Sequence, residues 1–308
     1  EELGQLNLLS IVRDAGTGDI IMLMPTIQKL RALFPKLWID LYIPAAAVPI
    51  IKWWADHDDM VRVFRTEKHD GAKYLKTVDV SWFVERQPLE RQGEIDRVSL
   101  FAGAFGVELT KAEKKWRMEA PMDARTISVP RNKPVLALGL ESAAPHRAPS
   151  ADLAIRIGKA ALKRDIHLLL VGCNRPLPQV EAALCRNGNT QIIAHETLTA
   201  VAAMLQWDVD CLICGDTGLY HLAGSMGTPF VAIFGAILPV TRLVGYTNYG
   251  FITAKDKLDC IPCLERPKHW DCQPNAPCMN LLDEEEIMDR AMLLAVRRWK
   301  KRCKRTTT

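Results

Sequence analysis

The chain has 308 residues, 48% of them hydrophobic and 25% charged, with a formal net charge of +4. That length suits two domains of ordinary size in a soluble globular protein, and so small a positive charge gives no footing for nucleic acid as a partner. No apolar run reaches the length of a membrane span, no basic-then-apolar leader opens the sequence, and the nine cysteines include several inside apolar strands, so a protein of the reducing cytoplasm is expected.

In chain order, the first half alternates short apolar runs with helical stretches. Strands are expected at Leu6–Arg13, Trp38–Ile43, Met60–Phe64 and Val78–Val84. Helices are expected at Ile20–Phe34, broken by Pro25, at Ala45–Ala55 and at Glu94–Phe105. Such alternation indicates a parallel sheet covered on both faces. Around Leu109–Lys133 the pattern fails, charge rises, and Pro121 and Pro130 punctuate it. A domain boundary is therefore placed near Ile127–Lys133, giving domains 1–130 and 131–308.

The alternation then restarts. Strands are expected at Val135–Leu140, Ile166–Val171, Gln191–Ala194 and Cys211–Cys214, with helices at Ser150–Arg164, Pro178–Arg186 and Leu198–Trp207. The last helix, Asp283–Arg298, carries apolar residues at 287, 288, 292, 293 and 296, so it packs against something.

The stretch richest in chemistry is Cys214-Gly-Asp-Thr-Gly-Leu-Tyr-His-Leu-Ala-Gly-Ser-Met-Gly-Thr-Pro229, followed by the apolar run Phe230–Gly235. It reads as a buried strand, a tight turn, a helix with small residues on one face, and a second buried strand. The turn Asp216-Thr217-Gly218 places backbone N–H groups and a hydroxyl at a helix N-terminus, where partial positive charge collects. His221 lies one turn further along the same face. The arrangement suits a diphosphate. It equally reads as a plain N-cap with His221 packed in the helix.

From the strand at residue 213 through Asp-Thr-Gly-Leu-x-His-Leu-Ala to Phe234-Gly-x-x-x-Pro239 and Gly245-Tyr246, the sequence resembles the donor site of glycosyltransferase family 9, the heptosyltransferases. The opening strand Leu8-Leu-Ser-Ile-Val-Arg13, the loop Asp14-Ala-Gly-Thr-Gly-Asp19 and the apolar helix after it resemble the start of the same family. The resemblance implies an α/β protein of GT-B architecture, two Rossmann-like domains facing one another across a cleft, with a last helix that crosses back to the N-terminal domain. It also implies inverting transfer of a sugar from a nucleoside diphosphate to a hydroxyl, with no catalytic metal. Asp19 matches the family's catalytic base; alone it reads as a helix cap after Gly18. In the loop Gly139–Pro149, Ser142 and Arg147 match the small hydroxylated residue and the cation that hold the diphosphate with Asp216, Thr217, Gly218 and His221. Two positions depart from the pattern. Ala148 stands where the family has Trp, and near Ala200 and Val201 the acidic residue that holds the ribose is missing. ADP-heptose as donor is thus inherited from the family. The acceptor, whether lipopolysaccharide core, another glycan, a lipid-linked sugar or a protein, has no motif within residues 44–115.

Cys260-Ile-Pro-Cys263, with Cys272 and Cys278, has the spacing of a tetrathiolate metal site in a Pro-rich loop, and comparable clusters occur in the family, some with iron. Zinc and iron both suit four thiolates, in a structural role, and His269 lies inside the loop. Unliganded cysteines or a disulfide formed after extraction fit the same spacing. The basic run Arg297-Arg-Trp-Lys-Lys-Arg302 reads first as a solvated tail, and peripheral contact with an anionic inner-membrane surface is compatible with it. Three other functions fit parts of the pattern: a nucleotide-sugar epimerase on the same scaffold, a degenerate binding or assembly protein, and a redox protein using Cys260 and Cys263. An epimerase needs more acid/base groups than Asp19, a degenerate protein would have lost Asp19 and His221, and a redox pair would lie between a strand and a helix.

Overall fold

The computed structural model describes residues 6–87, 95–142, 147–172, 177–235, 237–263 and 277–304. The chain forms two compact units, residues 1–121 with 240–246, and residues 122–239 with 247–308. The first unit thus ends at Pro121, ahead of the boundary expected from composition. It also takes back a short segment from the second half. Gly245 explains that return: its φ is +84°, and a Cβ there would lie 2.1 Å from the Lys114 carbonyl oxygen, so only glycine lets the segment press on residues 114–115.

The first unit holds strands β1 (Leu8–Val12), β2 (Trp38–Ile43), β3 (Val61–Arg65) and β4 (Thr77–Asp79), and helices α1 (Thr17–Leu33), α2 (Val48–Ala55) and α3 (Arg97–Ala104). The strands are parallel, in the order β3-β2-β1-β4. Helix α1 runs through Pro25 without breaking, contrary to expectation. Residues Ile20 to Ile27 are all buried, and that packing outweighs the one backbone hydrogen bond Pro25 cannot make. Strand β4 is also shorter than expected. Beyond Asp79 the chain turns away, although Val80 and Val84 remain buried.

The second unit holds β5 (Val135–Gly139), β6 (His167–Val171), β7 (Thr190–Ile193), β8 (Cys211–Gly215), β9 (Phe230–Phe234) and β10 (Tyr249–Thr253). Its helices are α4 (Ala151–Lys163), α5 (Pro178–Leu184), α6 (Leu198–Trp207), α7 (Gly218–Ser225), α8 (Pro277–Asn280) and α9 (Glu284–Lys304). All six strands are parallel, in the order β10-β9-β8-β5-β6-β7. Strands β5, β6, β8 and β9 are buried along their whole length, as parallel strands covered on both faces must be. Strand β10 went unforeseen. It is an edge strand with only Ile252 buried, so its sequence carries no apolar run.

Helix α9 belongs to the second unit. It packs on α4 and on β5, β8, β9 and β10, with Ile287, Met288, Ala291 and Ala295 buried. Its basic end is not a free tail either. Arg298 donates to the carbonyls of Gly227, Leu205 and Gln206, Arg302 grips the buried Asp210 at 2.7 and 3.1 Å, and Trp299 Nε1 donates to the Arg131 carbonyl at 3.0 Å. Among the described residues no helix is long and apolar enough to cross a membrane.

Candidate functional site

Each sheet has one place where the strand order reverses, and in open parallel sheets the carboxyl ends beside that point form the ligand crevice. In the second unit the reversal lies between β5 and β8. The chain leaving β5 carries Ser142 and Arg147, and the chain leaving β8 carries Asp216, Thr217 and Gly218. The structure brings these residues together. The Asp216 N–H donates to the Arg147 carbonyl at 3.0 Å, Ser142 Oγ donates to the Asp216 carbonyl at 3.4 Å, and Arg147 Nη1 stands 3.5 Å from Asp216 Oδ2.

Within that cluster the Asp216 carboxylate is held by its neighbours. Asp216 is 6% exposed, and its other oxygen accepts from Tyr220 Oη at 3.1 Å. A carboxylate left bare beside a diphosphate would repel it. Arg147 and Tyr220 both contact this one. Thr217 is the N-cap of α7, and its Oγ accepts from the Leu219 N–H at 3.1 Å. His221 lies in the first turns of α7, 4% exposed, with its ring centroid 4.1 Å from that of Tyr220. The cap reading thus holds for Thr217. Burial pushes the Cys214 thiol well above its usual range, which makes it a neutral packing group. Of the loop between these residues, 143–146 lie outside the described residues, His146 among them.

In the first unit the reversal lies between β1 and β4. Asp19 sits there, in the first turn of α1. It does not cap the helix: Gly16 occupies the N-cap, two residues before Gly18, and makes no side-chain bond. The Asp19 carboxylate instead meets two guanidiniums, Arg97 Nη1 at 2.5 Å from Oδ1 and Arg13 Nη2 at 3.3 Å from Oδ2. Arg13 is wholly buried, donates through Nη1 to the Val80 and Ser81 carbonyls, and lies 5.0 Å over the Phe101 ring. This is why the chain turns away after β4: it wraps a buried cation. Glu85, on the turn that follows, stands 3.4 Å from Arg13 Nη2 and 3.5 Å from Arg97 Nη1. Sequence reading took Arg13 only as the end of a strand and passed over Arg97 and Glu85. A charged residue closing an otherwise apolar strand was the signal that pointed to Arg13.

Cys260 and Cys263 are half-buried, Cys278 is buried, and Cys272 and His269 lie outside the described residues. Cys260 packs against the same core cluster that contains Cys278. Among the described residues no group of three or more His, Cys, Asp or Glu side chains stands where it could hold a metal.

The family model of glycosyltransferase family 9 (heptosyltransferase) matches residues 92–273, more than half of the chain. The chain belongs to glycosyltransferase family 9. It is a glycosyltransferase, and solved structures similar to it agree on the fold. The family 9 glycosyl transferase from Veillonella parvula shares 14% identity over 96% of this chain and 99% of that one, with a TM-score of 0.70. The E. coli ADP-heptose LPS heptosyltransferase II shares 13% over 95% and 99%, with a TM-score of 0.62. The iron-containing dodecameric glycosyltransferase TibC from enterotoxigenic E. coli shares 15% over 94% and 76%, with a TM-score of 0.70. At such identities the likeness is one of fold, and that fold is GT-B-like, built on two parallel sheets. No curated protein matches the chain by sequence.

Proposed function

We propose that this family 9 glycosyltransferase is an inverting enzyme that moves a heptose from ADP-heptose to a hydroxyl of a cell-surface glycan such as lipopolysaccharide core, or of a protein. The observation that carries the reading is the meeting of Ser142 and Arg147 with Asp216, next to the N-cap Thr217 of α7, at the strand-order reversal of the second sheet. There the N–H groups of the helix start, Ser142, Arg147 and His221 meet the charge that grows on the leaving diphosphate. Asp19 takes the proton of the attacking hydroxyl. Arg147 and the helix end already supply positive charge, so the reading assigns no catalytic role to a divalent cation. A nucleotide-diphosphate sugar as donor is further supported by the heptosyltransferase II likeness, whose name carries ADP-heptose.

The proposal includes a structural zinc or iron held by Cys260, Cys263, Cys272 and Cys278. Their spacing supports it, as does the likeness to an iron-containing enzyme.

The test is calorimetric titration of ADP, GDP and UDP into the purified chain, with His221→Ala and Asp19→Ala beside wild type. The reading expects one diphosphate to bind, His221→Ala to weaken it about ten-fold, equivalent to the loss of one charged hydrogen bond, and Asp19→Ala to leave it nearly unchanged. A folded chain that binds no nucleoside diphosphate refutes it.

A further inference from the structure

The arrangement around Asp19 poses a chemical difficulty. A general base must offer an oxygen to the hydroxyl it deprotonates and must hold the proton well enough to take it. Asp19 offers neither freely, because Oδ1 already accepts from Arg97 and Oδ2 faces Arg13. Two guanidiniums on one carboxylate favour its charged form and make it a reluctant base.

The two cations differ in freedom. Arg13 is fully buried, anchored to two backbone carbonyls and laid over Phe101, so it cannot leave. Arg97 starts α3 just after the N-cap Asp96, and its side chain is 15% exposed. Its Nη1 lies between two carboxylates, close to Asp19 and 3.5 Å from Glu85 Oε1. A small rotation would close the second contact and open the first. Glu85 also stands 3.4 Å from Arg13, with its side chain one-third exposed. Among the described residues, the charged groups in this cluster include Arg13 just after β1, Arg97 from α3, and Glu85 from the turn after β4. Asp14 lies in the same β1–α1 connection and Arg86 beside Glu85. Among the described residues, Arg13, Arg97, Asp19 and Glu85 contribute two positive and two negative charges.

We propose that Glu85 is a positioning residue for Asp19: it shares Arg13 and Arg97 with the base, and receives the Arg97 hydrogen bond when the acceptor hydroxyl takes its place on Asp19 Oδ1. This rests on the reading of Asp19 as the base. In the step itself the acceptor O–H bond breaks and its proton passes to Asp19 Oδ1. The freed oxygen pair forms the bond to the anomeric carbon, and the bond from that carbon to the diphosphate breaks with its electron pair on the leaving oxygen. Asp19 then loses the proton to water and recovers Arg97. Glu85 touches neither substrate; it acts by taking positive charge off Asp19 while the proton moves.

The network predicts opposite effects from its two movable members. Glu85→Gln leaves both guanidiniums to Asp19 alone, so Asp19 gives up its proton more readily and its titration moves to lower pH, by roughly one unit. Arg97→Gln removes one of those cations and moves it to higher pH by a similar amount. Glu85→Asp, which keeps the charge, restores most of the wild-type behaviour. A merely structural role for Glu85 moves neither titration.

The experiment is a pH titration of side-chain carboxyl carbons in the carbon-13-labelled full chain, with the Asp19 signal assigned by its loss in Asp19→Asn. It needs no substrate and decides the point alone. Opposite shifts in Glu85→Gln and Arg97→Gln support the proposal; an Asp19 midpoint unmoved in both folded variants overturns it. Consumption of ADP-heptose against pH, with the same variants, separates the two layers of the argument. The acidic limb of kcat is expected to follow the carboxyl midpoint, with kcat about ten-fold lower in Glu85→Gln. If Asp19→Asn keeps the wild-type rate and limb, the assignment of the base fails and takes the proposal with it. If Asp19→Asn is inactive while Glu85→Gln keeps the wild-type limb, the proposal fails alone.

Discussion

A Cβ on Gly215 would lie 1.8 Å from the Arg147 carbonyl oxygen, the same oxygen that accepts the Asp216 N–H at 3.0 Å. The end of β8 and the loop after β5 are therefore in backbone contact at the strand-order reversal, and that contact sets where Arg147 stands. Gly215→Ala must push the loop away. We expect it to lower stability by about 2–3 kcal/mol, as overpacking of a closed interior does, and to weaken nucleoside diphosphate binding more than that loss explains. Urea unfolding and calorimetry measure the two effects.

Asp216 offers a sharper test, because its carboxylate holds Arg147 and Tyr220. Asp216→Asn keeps an acceptor for Tyr220 and releases the cation. Diphosphate binding is expected to hold or tighten about three-fold, in line with one neutralising charge removed near an anion. Asp216→Ala strands the buried Tyr220 hydroxyl and costs about 2 kcal/mol of stability. A loss of binding in the Asn variant, with stability intact, would mean that Asp216 touches the ligand.

His167 gives the second unit a dependence on pH. It is 8% exposed at the start of β6, and burial, helped by the nearby Lys133, holds its pKa below the ordinary 6.5. The sign follows from linkage. Above pH 6.5 the imidazole is neutral in folded and unfolded chains, and the stability is fully present. As pH falls below 6.5 the unfolded chain takes up a proton that the folded chain refuses, so stability declines until the lower folded pKa is reached. One proton sets the slope at no more than about 1.4 kcal/mol per pH unit. Unfolding curves of wild type and His167→Gln across this range should differ in slope by that amount or less, with the variant flatter.

Metal analysis decides the cysteine loop. Chain purified without chelator is expected to carry about one equivalent of zinc or iron, as a tetrathiolate site holds. Cys260→Ser and Cys263→Ser should each lose it together with several degrees of thermal stability, and diphosphate binding should survive. Full-length chain with no bound metal and an unchanged melting temperature in both variants would refute the site.

How far the sequence could be read depended on the range of the interaction. The strand–turn–helix at Cys211–Ser225 was legible because its chemistry is contiguous: an apolar run, a capping threonine and a helix follow one another within fifteen residues. Asp19 was legible as the end of a Gly-x-Gly-Asp turn, though not its surroundings. Arg97 lies 78 residues from Asp19, and Glu85 lies 72 from Arg13. No local pattern marks such partners. They meet because β4 pairs with β1 and so delivers its exit turn beside the exit of β1.

The same division runs through the whole chain. By itself the sequence determined most of the strands and helices, though not the edge strand β10, because hydrophobic period and capping act within a few residues. Tertiary structure alone decided that α1 tolerates Pro25, that α9 stays with the second sheet, that Asp216 meets Arg147 and Tyr220 and that Asp19 shares its cations with Glu85. Those outcomes depend on burial and on pairing between distant segments, whose free energy exists only once the sheet order has brought them into contact.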